Sequence, residues 1–400
     1  MISKKNKIIN FIFLTPFIWC VTGLLFYFDA PKDMVAIAIV TMLTFLIFHG
    51  YKEAIYNFNG SIIPKLVAIS LFSMIIADTY HGYSSTSIRA FSVSLVMLIF
   101  TPKSIIEQIR KNLHILIFVG SLSSFVFVFY EFYILNHGRY WSINPVRYTT
   151  IASTLAIVSL MISILSKNKT TKVISILSLL MSFNVLILGQ TRGTLLAFIS
   201  SLIAFFIVLK LTNNNKTSKW WLISLTLISL PLLYLNKSVI EHRYNSTVQE
   251  VVRISSGNLD TSIGLRLQMW KSGFAMIKES PFIGYGNTHF REKEQQHNEG
   301  FISQQTTIFT HYHNQFIDSF VKLGIIGFLS VTSLFLAPWF LYFKYRTQTN
   351  FMMAIVSFSY TIASLTDVPL YHPQTIIFYF MLISLMDTNP NQTAGNKRTQ

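Results

Sequence analysis

Twelve times along its length the sequence stays apolar for long enough, or nearly long enough, to cross a bilayer. The runs are 8–28, 34–50, 61–78, 88–101, 113–136, 149–166, 173–189, 194–212, 220–235, 315–343, 351–366 and 374–387. The shortest are 88–101 and 374–387. A hydrocarbon core of ~30 Å takes about 20 residues of helix, and in lipid every backbone N–H and C=O must be satisfied internally. The chain is therefore expected to be all-α, a polytopic membrane protein of about twelve transmembrane helices. Composition agrees: 52% of residues are hydrophobic and only 12% are charged, about half the usual share, too few to cover a soluble surface. The first run follows Lys4, Lys5 and Lys7. It exceeds a signal-peptide core and has no small-x-small cleavage site, so it is read as a retained helix.

Net charge is +16, but the basic residues are scattered between the apolar runs, which speaks for topology and against a nucleic-acid surface. With twelve spans both termini share one side. Connections on that side carry seventeen Lys/Arg, among them Lys4, Lys5, Lys7, Lys103, Arg110 and Lys111. The short connections on the other side carry four: Lys32, Arg139, Arg147 and Arg192. The positive-inside rule then places both termini in the cytoplasm. The lone cysteine, Cys20, excludes an intramolecular disulfide and any multi-cysteine metal site.

One connection is long. Residues 236–314 lie between the ninth and tenth spans, on the non-cytoplasmic side, and hold five of the ten histidines. Loops of this length are functional or disordered, and this one is not of low complexity. Its segment 262–278 has imperfect helical periodicity, suiting short amphipathic helices near a membrane surface. Three parts follow: helices one to nine over 1–235, a lobe over 236–314, and helices ten to twelve with a cytoplasmic tail over 315–400.

Three features on the non-cytoplasmic side carry chemistry. Gly189-Gln190-Thr191-Arg192-Gly193-Thr194 joins the seventh and eighth spans. A guanidinium at the membrane boundary seeks an anion, and its fork suits phosphate. The glycine beside it would let a ligand approach the backbone. A snorkelling interfacial arginine has the same local sequence. Arg266 and Trp270, four apart on one helix face, precede Pro281-Phe282-Ile283-Gly284-Tyr285-Gly286, a helix stop and tight turn. His311-Tyr312-His313-Asn314 enters the tenth span, where a histidine suits general-base work near neutral pH. Histidines two apart in an extended segment point to opposite sides, and no carboxylate stands at ligand spacing, so no metal site is expected. Asp318 and Lys322, four apart, are expected to pair. Arg89, Lys65, Arg139, Arg147, and Asp367 with His372 are lesser candidates, Arg89 for the same anionic site. Trp141, Tyr140, Trp270 and Tyr285 are candidate sugar-stacking aromatics, with interfacial anchoring as the commoner role.

These features, in this order, resemble the bacterial O-antigen ligases of the O-antigen ligase/polymerase superfamily. The matching residues are Gln190-Thr191-Arg192-Gly193-Thr194-Leu195-Leu196, Ser262 to Trp270, Lys278-Glu279-Ser280-Pro281-Phe282, and His313-Asn314 followed by Gly324-Ile325-Ile326-Gly327. They cover about 189–327; elsewhere only topology matches. Ile317 departs from the leucine many members have. The resemblance implies that Arg192 and Arg266 engage the donor diphosphate and that His313 is the catalytic base. Arg89, Trp270, His311, Asn314, Asp318 and Asp367 are supporting candidates.

The implied reaction moves O-polysaccharide from undecaprenyl diphosphate to lipid A–core at the periplasmic face of the inner membrane, with inversion and with neither metal nor cofactor. Two further readings stay open: an O-antigen polymerase extending the chain on its lipid carrier, and a polysaccharide-lipid transporter. Transporters often carry inverted repeats and charges at the midplane, whereas here no repeat is visible and the polar signals gather on one face.

Overall fold

A computed structural model describes residues 4–212 and 230–388. All regular elements among them are helical. They are α1 (Lys4–Val21), α2 (Ala30–Phe48), α3 (Gly50–Gly60), α4 (Ile63–His81), α5 (Ser85–Ile99), α6 (Lys103–Lys111), α7 (Leu113–Phe129), α8 (Pro145–Leu165), α9 (Lys169–Gly189) and α10 (Arg192–Thr212). The lobe holds α11 (Lys237–Ser255), α12 (Ser262–Glu279), α13 (His289–Asn298) and the single turn α14 (Gln304–Thr307); α15 (Gln315–Tyr345), α16 (Gln348–Ala363) and α17 (Pro373–Met386) complete the chain.

Eight of these are long and apolar enough to cross a membrane. They match the predicted first to third, fifth to eighth and tenth spans. The fourth span is α5, 15 residues long, and α6 turns from it by 94°. α6 is amphipathic, so it lies across the end of the bundle instead of extending α5. Its Arg110 donates to the carbonyls of Leu385 (2.7 Å) and Asp387 (2.9 Å), capping α17. The ninth predicted span, 220–235, falls mainly outside the described residues. The twelfth, α17, has only 14 residues, about 21 Å of helix. Its side chains from Gln374 to Ile383 are all buried, against α1, α5, α6, α8 and α16. A helix wrapped in protein need not match the bilayer thickness.

α8 is the hub. It is rich in Ala, Ser and Thr and buried almost end to end between α7, α9, α10, α16 and α17. Apolar association has no driving force in lipid, so small residues and hydrogen bonds join helices there. Ser182 donates to Ser121 across α9 and α7 (2.9 Å), and Ser357 to the Phe335 carbonyl across α16 and α15 (2.7 Å).

The lobe is anchored by a pair of glycines. Gly324 interrupts α15 with φ +64°, ψ −161°, a conformation that costs a side-chain-bearing residue steric energy. The Pro281–Gly286 turn enters that break. Tyr285 N–H donates to the Val321 carbonyl (2.7 Å), and Ile325 N–H to the Pro281 carbonyl (2.9 Å). A Cβ on Gly284, itself at φ +75°, would come 2.6 Å from the Gly324 nitrogen. The turn thus satisfies backbone groups that the break releases. Above it, Met269 and Met276 of α12 pack on Tyr312, Ile317 and Val321, and Gly273 permits the approach, since its Cβ would stand 2.6 Å from Ile317. α12 is therefore a packed helix of 18 residues with one face on α15.

Candidate functional site

Four connections meet at the lobe end of the bundle. The first is the α9–α10 joint. Gln190 ends α9 in the left-handed region, and hydroxyls hold the turn: Thr149 lies 2.7 Å from Thr191 and 3.0 Å from Thr194. Arg192 opens α10. The glycine after it, which the sequence assigns to ligand approach, does not make room for a ligand. It makes room for the α16–α17 loop, because a Cβ on Gly193 would run into Thr366. The residue after Thr366 is Asp367, so the small side chain draws a distant loop toward the arginine.

Arg192 Nη2 lies 2.6 Å from Glu250 Oε2 on α11. The other Glu250 oxygen accepts from the Ile263 N–H at the start of α12, a favourable place for a carboxylate. Burial pushes the Glu250 carboxyl up; the hydrogen bonds from Arg192 and Ile263 outweigh it and hold the group below its usual value. Arg243 of α11 and Arg266 of α12 complete a cationic cluster. Burial brings Arg243 down to about 10, with Arg139 and Arg192 pushing the same way. Arg266 is also lowered, first by burial, while Asp367 draws it back and Arg192 lowers it further. The Nε atoms of Arg192, Arg243 and Arg266 are all sealed from solvent without a hydrogen-bond partner. Arg192, Arg243, Arg253 and Glu250 line a cleft of about 240 Å³.

The histidine segment lies beside this cluster. Asn314 caps α15, its Oδ1 accepting from the N–H groups of Phe316 (3.0 Å) and Ile317 (3.2 Å). Asp318 accepts from Tyr312 N–H (3.2 Å) and pairs with Lys322 (2.8 Å), both side chains buried. Lys322 also donates to the Thr310 carbonyl (2.8 Å), and Trp270 Nε1 to that of Tyr312 (3.0 Å). Asn314, Asp318 and Trp270 thus clamp the segment that carries His311 and His313.

The two imidazoles do not point to opposite sides. His313 is at φ +47°, which breaks the extended alternation, and the ring centroids are 4.3 Å apart. A carboxylate is also present, supplied from far along the chain. Asp367 Oδ1 lies 3.2 Å from His313 Nδ1 and 3.7 Å from His311 Nε2; its Oδ2 lies 3.7 Å from His372 Nε2. Burial pushes Asp367 up, and contacts with His313, His372 and His311 more than reverse this, holding it well below the usual range. Burial drives His311 well down, and it lowers His372 against the opposing pull of Asp367. The α16–α17 loop is fixed by Gln315, whose N–H donates to the Ser364 carbonyl (2.8 Å) and whose Oε1 accepts from Leu370 N–H (2.7 Å). His311, Asp367 and His372 each offer one donor atom within 4.8 Å of the others, spacing that a divalent cation can use. The expectation that no carboxylate stands at ligand spacing is corrected to that extent.

Arg89 does not join the Arg192 cluster. It is exposed and lines a separate cleft of about 390 Å³ with Arg147 and His372. Trp141 and Trp270 are committed internally, Trp141 donating to the Gly138 carbonyl (2.8 Å), while Tyr140 is 89% exposed. The sequence reading missed Arg243 and Glu250. Neither carries a local signal; folding α11 over the start of α12 makes them part of the site.

The sequence model of the O-antigen ligase family matches residues 176–332, which span Arg192, Arg266 and His313. Among curated proteins the chain is 32% identical over 139 residues to an uncharacterized protein of Haemophilus influenzae, covering 34% of this chain and 35% of that one. It is 26% identical over 337 residues to the O-antigen ligase of Escherichia coli K12, covering 77% of each. It is 28% identical over 107 residues to the exopolysaccharide production protein ExoQ of Rhizobium meliloti, covering 23% of this chain and 24% of that one.

Proposed function

From the premise that this chain belongs to the O-antigen ligase superfamily, we propose that it transfers O-polysaccharide from undecaprenyl diphosphate to a sugar hydroxyl of lipid A–core. The reaction takes place at the periplasmic face of the bacterial inner membrane, with both termini in the cytoplasm. One observation carries the reading: a histidine oriented by a buried carboxylate lies beside three arginines whose Nε atoms have no partner. A base at the rim of an anion site is what transfer away from a diphosphate requires.

In this mechanism Asp367 holds His313 Nδ1, which leaves Nε2 to take the proton of the acceptor hydroxyl. The oxygen attacks the anomeric carbon as the bond to the diphosphate breaks, and the centre inverts. Negative charge grows on the departing diphosphate. Arg192, Arg243 and Arg266 offset it as fixed, already charged donors, an electrostatic effect that often dominates catalysis. The carrier, its glycosyl chain now on the acceptor oxygen, leaves as undecaprenyl diphosphate, and the proton on His313 passes to solvent.

A lipopolysaccharide gel from a strain lacking the gene tests this, with carrier-linked polymer probed alongside. The expected result is no O-antigen band while long polymer persists on the carrier. A core band bearing a single repeat would instead make the chain a polymerase, a second reading favoured by the match to an exopolysaccharide production protein. His313→Ala and Arg192→Ala variants that insert normally yet keep wild-type transfer would overturn the site assignment.

A further inference from the structure

A transferase of this kind has two substrates, and the lobe end of the bundle has two basic clefts with no lining residue in common. The Arg192 cleft suits the diphosphate. The second, of about 390 Å³, lies between the α1–α2 connection, the starts of α5 and α8, and the α16–α17 loop. Its charged lining is Asp29, Lys32, Arg89 and Arg147. The only carboxylate of that set is spent, since Asp29 pairs with Lys32 at 2.8 Å. Arg89 and Arg147 are left in excess. Arg147 Nε is sealed and has no hydrogen-bond partner, and the guanidinium faces the Phe28 ring at 6.0 Å. Asp367 acts on Arg147 electrostatically but forms no ion pair with it among the described residues, and guanidinium groups so placed next to an aromatic wall suit a phosphomonoester carried on a sugar.

The cleft also reaches the reacting centre. His372 lines it and lies 3.7 Å from Asp367, the residue that holds His313. A head group seated there would be linked to His313 through His372 and Asp367, on a cleft that shares no lining residue with the Arg192 cleft.

We propose that the Arg89–Arg147 cleft is the acceptor subsite and that it recognises a phosphate ester on the sugar head group of the acceptor glycolipid. The inference rests on the transferase reading above and adds to it the chemistry by which the second substrate is selected.

The test uses the full chain in phosphatidylcholine nanodiscs, with transfer measured against phosphorylated lipid A–core and against the same acceptor after dephosphorylation. For Arg147→Gln the acceptor KM is expected to rise ~10-fold or more, the loss of a charge-assisted contact, with donor KM and kcat little changed. Arg147→Lys should recover part of the loss. Dephosphorylation should raise KM for the wild type but add nothing in Arg147→Gln, because both remove the same contact. Inorganic phosphate should compete with the acceptor in the wild type only. If Arg147→Gln raises donor KM instead, the cleft belongs to the donor. If the two losses add, or if anionic phosphatidylglycerol in the nanodisc competes as well as the phosphorylated sugar, the phosphate-recognition claim is wrong. A wild-type chain that transfers to no lipid A–core overturns the ligase reading itself, an outcome distinct from any pattern among the variants.

Discussion

His313 Nδ1 and Asp367 Oδ1 stand 3.2 Å apart although 54 residues separate them in the chain. Asp367 is buried and His313 is 17% exposed, so the pair has a dry end and an open end. A carboxylate on one ring nitrogen fixes the tautomer, and the other nitrogen is left to accept a proton.

Asp367→Asn should therefore cost kcat about 10²–10⁴-fold while the KM of each substrate changes little. The amide keeps the shape but lacks the charge that stabilises an imidazolium. Steady-state transfer rates with membrane insertion checked in parallel would decide it; a variant within tenfold of wild-type kcat sinks the positioning role.

The glycine break in α15 makes a stability prediction. Gly324→Ala combines a left-handed backbone with collision against Phe282 and should cost about 3 kcal/mol or more, releasing the lobe from α15. Gly257→Ala is the control. Its φ is +88° but nothing lies within 4 Å, so it should pay only conformational strain of about 1–2 kcal/mol. Hydrogen exchange across 262–286 in the two variants separates the cases, and equal protection would refute the docking account.

Much of this arrangement is visible in the primary structure, and the reason differs from part to part. The long apolar runs announce α1, α2, α4 and α15 because lipid demands continuous apolar helix. α17 is less plain, since a helix of 14 residues buried in protein obeys packing, not bilayer thickness. Arg192, Arg266 and His313 each sit in a distinctive local string. Their meeting with Asp367 does not follow from any string; it depends on Gly193 accepting Thr366 and on Gln315 holding Leu370. Alternation puts the paired histidines on opposite sides only in extended backbone, and His313 at φ +47° is not extended. The break at Gly324 lies inside the tenth predicted span, where periodicity gives no warning.

Chelation distinguishes two uses of the histidine cluster. In the proposed mechanism the arginines supply the positive charge for the leaving diphosphate, and Asp367 Oδ1 is engaged by His313. Transfer should therefore survive prolonged exposure to EDTA with less than a twofold fall. Loss of activity that zinc or another divalent ion restores would instead put a catalytic cation on His311, Asp367 and His372.

Lys293 gives the lobe a pH dependence. Its ammonium is fully buried, donates to the Phe309 carbonyl, and faces the Phe290 and Tyr312 rings. Burial, aided by Lys322 and opposed by Asp318, brings it from 10.5 to about 7. Below pH 7 the folded and unfolded chains both carry the proton, and the cost of burying the charge is at its full value. Between about 7 and 10.5 the folded chain has released it while the unfolded chain still holds it. The unfolded state then binds more protons, so stability rises with pH. Thermal unfolding of the detergent-solubilised chain should show Tm climbing from pH 7 to 9, and Lys293→Met should flatten that slope. An unchanged slope in the variant would assign the dependence to another group.

The contact between Gly193 and Thr366 tests whether the loop position matters for catalysis. A Cβ at residue 193 would overlap the Thr366 side chain, and α10 is helical there, so alanine causes no backbone strain. Gly193→Ala should push the α16–α17 loop away from Arg192, moving Asp367 off His313. A misplacement of about 1 Å in a catalytic group can cost 10²-fold in rate, and a loss of that order is expected in kcat. The global Tm should fall little, because alanine favours helix over glycine by about 1 kcal/mol. The second substitution decides the cause. Thr366→Ala removes the hydroxyl that makes the closest collision, so the double variant Gly193→Ala/Thr366→Ala should recover most of the lost rate, whereas Thr366→Ala alone should be nearly silent. Failure of the double variant to recover would mean that Gly193 acts directly on the donor, the role its place beside Arg192 suggests in the sequence.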